Sequence, residues 1–255
     1  MRETALVTGA SSGIGAAFAR ALSARGHELI LLARRADRLE RLAGALPGPA
    51  HAIPCDLASD AARLHERVAE LGLDVDLLVN NAGFGTYGRF WEIEAGRDAE
   101  QVRVNCEAIV TLTRAFLPRM VERRRGGVIV VASSAGMLPI PYEATYAATK
   151  AFALRFTEAL HEELRGTGVR ALAVNLGPVP TEWQQVAGFD DVGVVPGKIS
   201  AERVVAESLA AYERGRRSVV PGRFVRWSMR GASVAPRSLQ LRITKRLYRG
   251  HGQGS

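Results

Sequence analysis

The chain has 255 residues, 47% of them apolar, which suits one α/β domain with a sizeable core. Its formal charge of +8 is uneven: Arg214 to Ser255 holds eleven Lys or Arg and no acid, leaving 23 basic against 26 acidic residues elsewhere. The basic character therefore belongs to the tail and says little about what the body binds, and nucleic acid is not an expected partner. Two cysteines, Cys55 and Cys106, give neither a disulfide framework nor a metal-ligand spacing. No apolar run is long enough to span a bilayer. Met1 to Gly9 lacks the segments of a signal peptide, so a cytoplasmic protein is the expectation.

Ala5 to Thr8 reads as a buried strand that ends in Thr8-Gly9-Ala10-Ser11-Ser12-Gly13-Ile14-Gly15. A helix follows over Ala16 to Ala24, closed by Gly26, and then a second strand over Leu29 to Ala33. His51 to Asp56 is a weaker third strand, and Ser59 is placed to cap a helix reaching Glu70. Asp76 to Val79 begins a fourth strand, ending in Asn80-Asn81-Ala82-Gly83. A long amphipathic helix is predicted over Ala99 to Arg123, a strand over Val128 to Val131, a helix over Tyr146 to Arg165 and a strand over Val169 to Asn175. Ala201 to Arg214 (helix) and Ser218 to Val220 (strand) complete the pattern.

Strands without polar alternation, separated by helices, point to a doubly wound parallel sheet, a Rossmann-like single domain. Residues 1–222 form that unit and 223–255 a basic extension. Gly9 permits a tight turn, Gly13 lets a diphosphate approach, and Gly15 lets the helix pack near the strand. Helix N-terminal amides, with the Ser11 and Ser12 hydroxyls, would face the phosphate charge. The spacing departs from the usual dinucleotide fingerprint, and such a glycine cluster can also be an ordinary turn.

After the second strand stand Arg34 and Arg35, where an acid would hold the ribose hydroxyls of NAD. Guanidinium groups there favour a 2′-phosphate and hence NADP(H), with Arg34, nearest the strand end, the expected contact. The alternative is that Arg34, Arg35 and Arg38 only solvate a helix start. Tyr146 and Lys150, four apart on a helix, share a face, and Ser133 ends the preceding strand. A nearby ammonium would draw the phenol down toward working pH, letting Tyr146 act as acid and base while Ser133 holds a substrate oxygen. Ser134 is an adjacent alternative to Ser133.

These motifs, in this order and with Asn175 to Thr181, resemble the short-chain dehydrogenase/reductase family, its bacterial ketoreductases in particular, over residues 4–222. The resemblance implies that Asn81, Ala82 and Gly83 border the adenosine side and that Asp56 and Leu57 meet the adenine edge. It also implies that Asn105 supports Lys150, and that Pro178, Val179 and Thr181 border the nicotinamide end. Asn81 and Asn105 can equally be structural hydrogen-bonders, and Asp56 a helix cap. Leu176 stands where relatives carry proline, so that turn is open to a different shape.

His161-Glu162-Glu163 lacks a metal-binding spacing. Tyr87, Phe90, Met137, Leu138, Tyr142 and Trp183 are the expected substrate rim, and Val186 to Lys198 an expected lid or loop. The expected activity is NADP(H)-dependent interconversion of an alcohol with a lipophilic ketone, aldehyde, 3-oxoacyl or steroid-like compound, by a homodimer or homotetramer. The alternatives are a non-catalytic NADP(H) sensor or a basic-tail membrane-associated protein. The tail admits three readings: packing on the body, lying on anionic lipid, or touching nucleic acid. Gly231 and Pro236 are expected to interrupt any helix in it.

Overall fold

The computed structural model describes residues 2–177, 179 and 199–248. Seven parallel strands form one sheet: β1 (Thr4–Thr8), β2 (Glu28–Ala33), β3 (Ala50–Pro54), β4 (Val75–Asn80), β5 (Gly126–Ser133), β6 (Val169–Leu176) and β7 (Ser218–Val219). Their spatial order is β3-β2-β1-β4-β5-β6-β7. The helices are α1 (Gly13–Ala24), α2 (Ala36–Ala45), α3 (Leu64–Ala69), α4 (Arg97–Val102), α5 (Ala108–Glu122), α6 (Ala144–Glu163), α7 (Ala201–Glu213), α8 (Arg223–Val234) and α9 (Arg237–Tyr248).

The sheet has a core on each face, which is why its strands carry no polar alternation. Leu6, Ile30 and Leu32 point to the side covered by α3, α5 and α6. Their neighbours Val7, Leu29 and Leu31 point to the side covered by α1, α2 and α7. The strand order reverses between β1 and β4, so the loops after these two strands diverge and open a crevice at their carboxyl ends.

Three elements differ from the sequence reading. The helix expected over Ala99 to Arg123 is divided: α4 and α5 flank a π-helical turn, Arg103–Glu107. The third strand stops at Pro54, and Ser59 is not a helix cap. There the Asp56 carboxylate accepts from Ala58 N at 3.0 Å and the Asp56 carbonyl accepts from Asp60 N at 2.8 Å, so the chain turns before α3 begins. In the tail, α8 runs through Gly231, where an added Cβ would meet nothing within 4 Å. A helical glycine costs about 1 kcal/mol relative to alanine, which neighbouring turns can absorb. Ala235 and Pro236 separate the two tail helices, and the Pro236 carbonyl accepts from Leu239 N and Gln240 N in the first turn of α9, at 2.9 and 3.0 Å.

The tail packs on the body by one face. Val225 is 4% exposed and fills the space beside Gly177. Thr244 Oγ1 donates to the Pro139 carbonyl at 3.0 Å, and Tyr248 packs against Ile140, Tyr146 and Ala147.

Candidate active site

At the crevice, β1 ends in Thr8, whose Oγ1 accepts from Asn81 N and Ala82 N, both at 2.9 Å. Asn81 Nδ2 donates to the Thr8 carbonyl at 2.8 Å. These bonds tie the ends of β1 and β4 together and fix Asn81-Ala82-Gly83. Gly9 takes φ +65°, and a Cβ there would lie 2.8 Å from Asn81 Nδ2 and 2.9 Å from Ala82 Cα. At Gly15 a Cβ would overlap the Gly9 carbonyl. Gly13, at φ +53°, opens α1, whose first turn carries no acid and whose N-terminal amides receive no side-chain cap from Ser12. The positive end of that helix is thus left to an anion. Ile14 is turned aside into the α1 core. A nicotinamide dinucleotide fits this cradle, because its walls are main chain that any larger side chain would fill.

The two arginines after β2 separate. Arg35 donates to Ser11 Oγ at 3.1 Å and to Ser12 Oγ at 3.0 Å, so it stands over the cradle. Arg34 turns to the other face, 3.5 Å from Glu100 of α4. Arg34, the expected contact, is thus paired with Glu100, and it is Arg35 that stands beside Ser11 and Ser12. The reason is alternation: Ile30, Leu32 and Arg34 share one side of the sheet, and Leu31, Ala33 and Arg35 the other. A depression of about 240 Å³ beside Ser11 is lined by Arg20, Arg38 and Arg41, which adds positive charge on the same side. Asp56 forms the turn described above, and Leu57 packs against the α3 and α5 core.

Ser133 ends β5 beside α6. Its hydroxyl accepts from Ala135 N at 3.1 Å and hydrogen-bonds the Tyr146 phenol, whereas Ser134 enters the following 3₁₀ turn. Lys150 lies one helical turn beyond Tyr146, 5% exposed, with Nζ donating to the Val131 carbonyl at 2.9 Å. That Nζ stands 5.9 Å from the centre of the Tyr146 ring. Burial pulls Lys150 down to about 8. Burial, then the nearby Glu143, pushes the Tyr146 phenol up, opposed by the Ser133 hydrogen bond. The expected depression of Tyr146 by Lys150 is not what this geometry gives. The ammonium is held by a carbonyl, and desolvation of the phenol dominates. The Tyr146 phenol is thus neutral at neutral pH.

Asn105 sits on the π turn and is 1% exposed. It accepts from Phe84 N at 3.2 Å and donates to the Phe84 carbonyl at 2.9 Å and to Thr149 Oγ1 at 3.0 Å. The extra residue of the π turn aims this amide inward, and it spans from the β4 loop to α6 directly behind Lys150. A Cβ at Gly83 would lie 3.0 Å from Asn105 Oδ1 and 3.2 Å from Lys150 Nζ, so a larger residue there would press on both side chains. Leu176 remains in β6 in register with Ser133, an edge that a proline would deprive of an amide donor. Val179 is buried; Pro178, Thr181, Trp183 and the segment 186–198 lie outside the described residues.

Two residues at this site were not singled out from the sequence. Glu143, three positions before Tyr146, is 4% exposed, and burial raises its carboxyl to about 8. Tyr248, from the far end of the chain, packs on Tyr146, and the Tyr87 hydroxyl donates to the Tyr248 carbonyl. Of the expected rim, Tyr87 and Tyr142 stand together with ring centres 6.2 Å apart. Tyr142 holds φ +71°, with its carbonyl accepting from Gly88 N at 2.9 Å. Phe90 is 63% exposed, and Met137 is drawn into the sheet core instead of the rim.

The sequence and the fold that carry this site are both similar to those of known proteins. The family model described as short chain dehydrogenase covers residues 3–190. The chain belongs to the short-chain dehydrogenase/reductase family of oxidoreductases. It is 40% identical over 188 residues to a short chain dehydrogenase of Pseudocercospora fijiensis, covering 71% of this chain and 60% of that one. It is 35% identical over 174 residues to the very-long-chain 3-oxoacyl-CoA reductase of Neurospora crassa, covering 65% of this chain and 52% of that one. The chain thus spans little more than half the length of these curated relatives. Among solved structures, a short-chain dehydrogenase from Sphingobium yanoikuyae in complex with NADPH superposes with a TM-score of 0.81 at 32% identity, covering 90% of this chain and 93% of that one.

Proposed function

We propose that this short-chain dehydrogenase/reductase interconverts an alcohol and a lipophilic ketone, aldehyde or 3-oxoacyl compound with NADP(H), and that Tyr146 is its acid and base. The observation that carries the proposal is the convergence of Ser133, Tyr146 and Lys150 at the carboxyl end of β5, beside the glycine cradle. Gly9, Gly13 and Gly15 would hold the diphosphate against α1, with Ser11, Ser12 and Arg35 toward a 2′-phosphate. When bound, the nicotinamide supplies the hydride in reduction and accepts it in oxidation.

The chain's own groups manage the proton. Ser133 holds the substrate oxygen next to the phenol, and Tyr146 passes its proton to that oxygen as charge develops there. Lys150, still an ammonium below about pH 8, stabilises the phenolate left behind. Asn105 keeps the backbone behind Lys150 in place. Tyr87, Tyr142 and Tyr248 give the substrate side an aromatic lining, in keeping with a lipophilic carbonyl. The relatives named as 3-oxoacyl-CoA reductases support the same class.

We place the enzyme in the cytoplasm as a homo-oligomer. Free Cys55 and Cys106 fit a reducing compartment. Exposed Val110 on α5 and Phe152 on α6 fit a helical interface between copies. A panel of ketones, aldehydes and 3-oxoacyl thioesters, assayed with NADPH and NADH in parallel, tests the proposal. Turnover with NADPH supports it. NADPH binding without turnover on any carbonyl would leave the sensor reading in its place.

A further inference from the structure

We propose that the outer surface of α8 and α9 binds an anionic lipid surface. The case begins with α9, which is folded with its polarity reversed. Gln240 and Thr244, at a helical step of four, face the body and are 7% and 6% exposed. Leu239, Ile243 and Leu247, at the same step, face outward at 46%, 49% and 60%. Soluble helices turn the apolar row inward. Here the inward row is fixed by polar contacts, including Thr244 to Pro139, and the apolar row is left on the surface. Beside it, about 60° around the helix, runs a second exposed row, Arg242 and Arg246.

α8 repeats the composition. Val225 anchors it, while Phe224 and Trp227, three apart on one face, are 58% and 67% exposed. Half of the exposed large apolar residues among those described fall within residues 224–247, so the exposure is a local feature. No acid occurs from Arg214 to the end of the sequence.

Three occupants fit an apolar and basic surface unequally. Nucleic acid would use the arginines, but gains nothing from a row of Leu and Ile. A second copy related by a two-fold axis would set this acid-free face against itself, at a cost in charge repulsion. A bilayer with anionic headgroups uses both features: guanidinium groups meet phosphate, and Trp, Phe and aliphatic side chains enter the acyl boundary. No helix among the described residues is long and apolar enough to cross a membrane, so the contact would lie in the plane of the surface. The arrangement also brings the Tyr248 end of α9, which packs beside Tyr146, close to the lipid.

Flotation of the full chain with vesicles tests this. Vesicles of phosphatidylcholine with phosphatidylglycerol are expected to carry the protein up, and vesicles of phosphatidylcholine alone are not. Two double variants, Leu239→Glu with Ile243→Glu and Arg242→Glu with Arg246→Glu, should each weaken binding at least about tenfold while the melting temperature stays unchanged. Absence of binding to the anionic vesicles, equal binding to both vesicle types, or undiminished binding by both variants would overturn the proposal. So would self-association that the first variant abolishes, which would assign the face to a second copy.

Discussion

Replacing Glu143 by Gln isolates the electrostatics of the catalytic pocket. The Glu143 carboxyl is 4% exposed, with its pKa raised by burial from 4.5 to about 8. Between those values the folded chain keeps a proton that the unfolded chain has released. The contribution of this group is therefore fully present below about pH 4.5 and is lost as pH rises toward 8. At about 1.4 kcal/mol per pH unit, the loss by pH 8 has an upper bound of about 5 kcal/mol. Glutamine has the same shape and stays neutral throughout. Urea unfolding of both proteins at about pH 5 and about pH 8 should show the Gln variant gaining at least about 2 kcal/mol on the wild type between the two conditions. Parallel behaviour at both values would mean that the carboxyl is solvated or paired, and would refute the account of Glu143 as a desolvated acid beside Tyr146.

Further outcomes are expected around the site. Arg35→Ala should weaken NADPH at least about tenfold relative to NADH, and Arg34→Ala should leave that ratio almost unchanged, as titration of both dinucleotides will report. The reverse ranking would return the 2′-phosphate to Arg34. Asn105→Ala leaves the Phe84 amide and carbonyl without their partner and should cost about 1–3 kcal/mol in chemical denaturation, together with a fall in turnover. If stability and turnover both hold, the amide is not the brace behind Lys150. Tyr248→Ala should raise kcat/KM for a bulky ketone relative to a small one, because it removes the ring packed on Tyr146. An unchanged ratio would place the substrate away from α9.

Much of the sheet was legible because a strand buried on both faces must be apolar without interruption, as Leu29 to Ala33 is. The cradle was legible for a similar reason: main chain that closes on main chain admits only glycine at Gly9 and Gly15. The opposite directions of Arg34 and Arg35 continue the strand's alternation past Ala33. Between Ser133 and Ser134 the family resemblance favours Ser133, whose hydroxyl meets the Tyr146 phenol in the structure. By contrast, the π turn that aims Asn105 inward is set by its partners Phe84 and Thr149, both far away in sequence. Glu143 reads in the sequence like any loop carboxylate, because its burial depends on the tertiary fold. Tyr248 lies about a hundred residues beyond the loop it covers, and its composition points outward, so periodicity alone turns α9 the wrong way round.

The proton-donor role of Tyr146 is tested most directly by Tyr146→Phe. The measurement pairs NADPH titration with turnover on whichever carbonyl the wild type reduces best. We expect the dissociation constant for NADPH to stay within about threefold and turnover to fall at least about 100-fold. Turnover close to that of the wild type, with the hydroxyl gone, would contradict the mechanism at its centre.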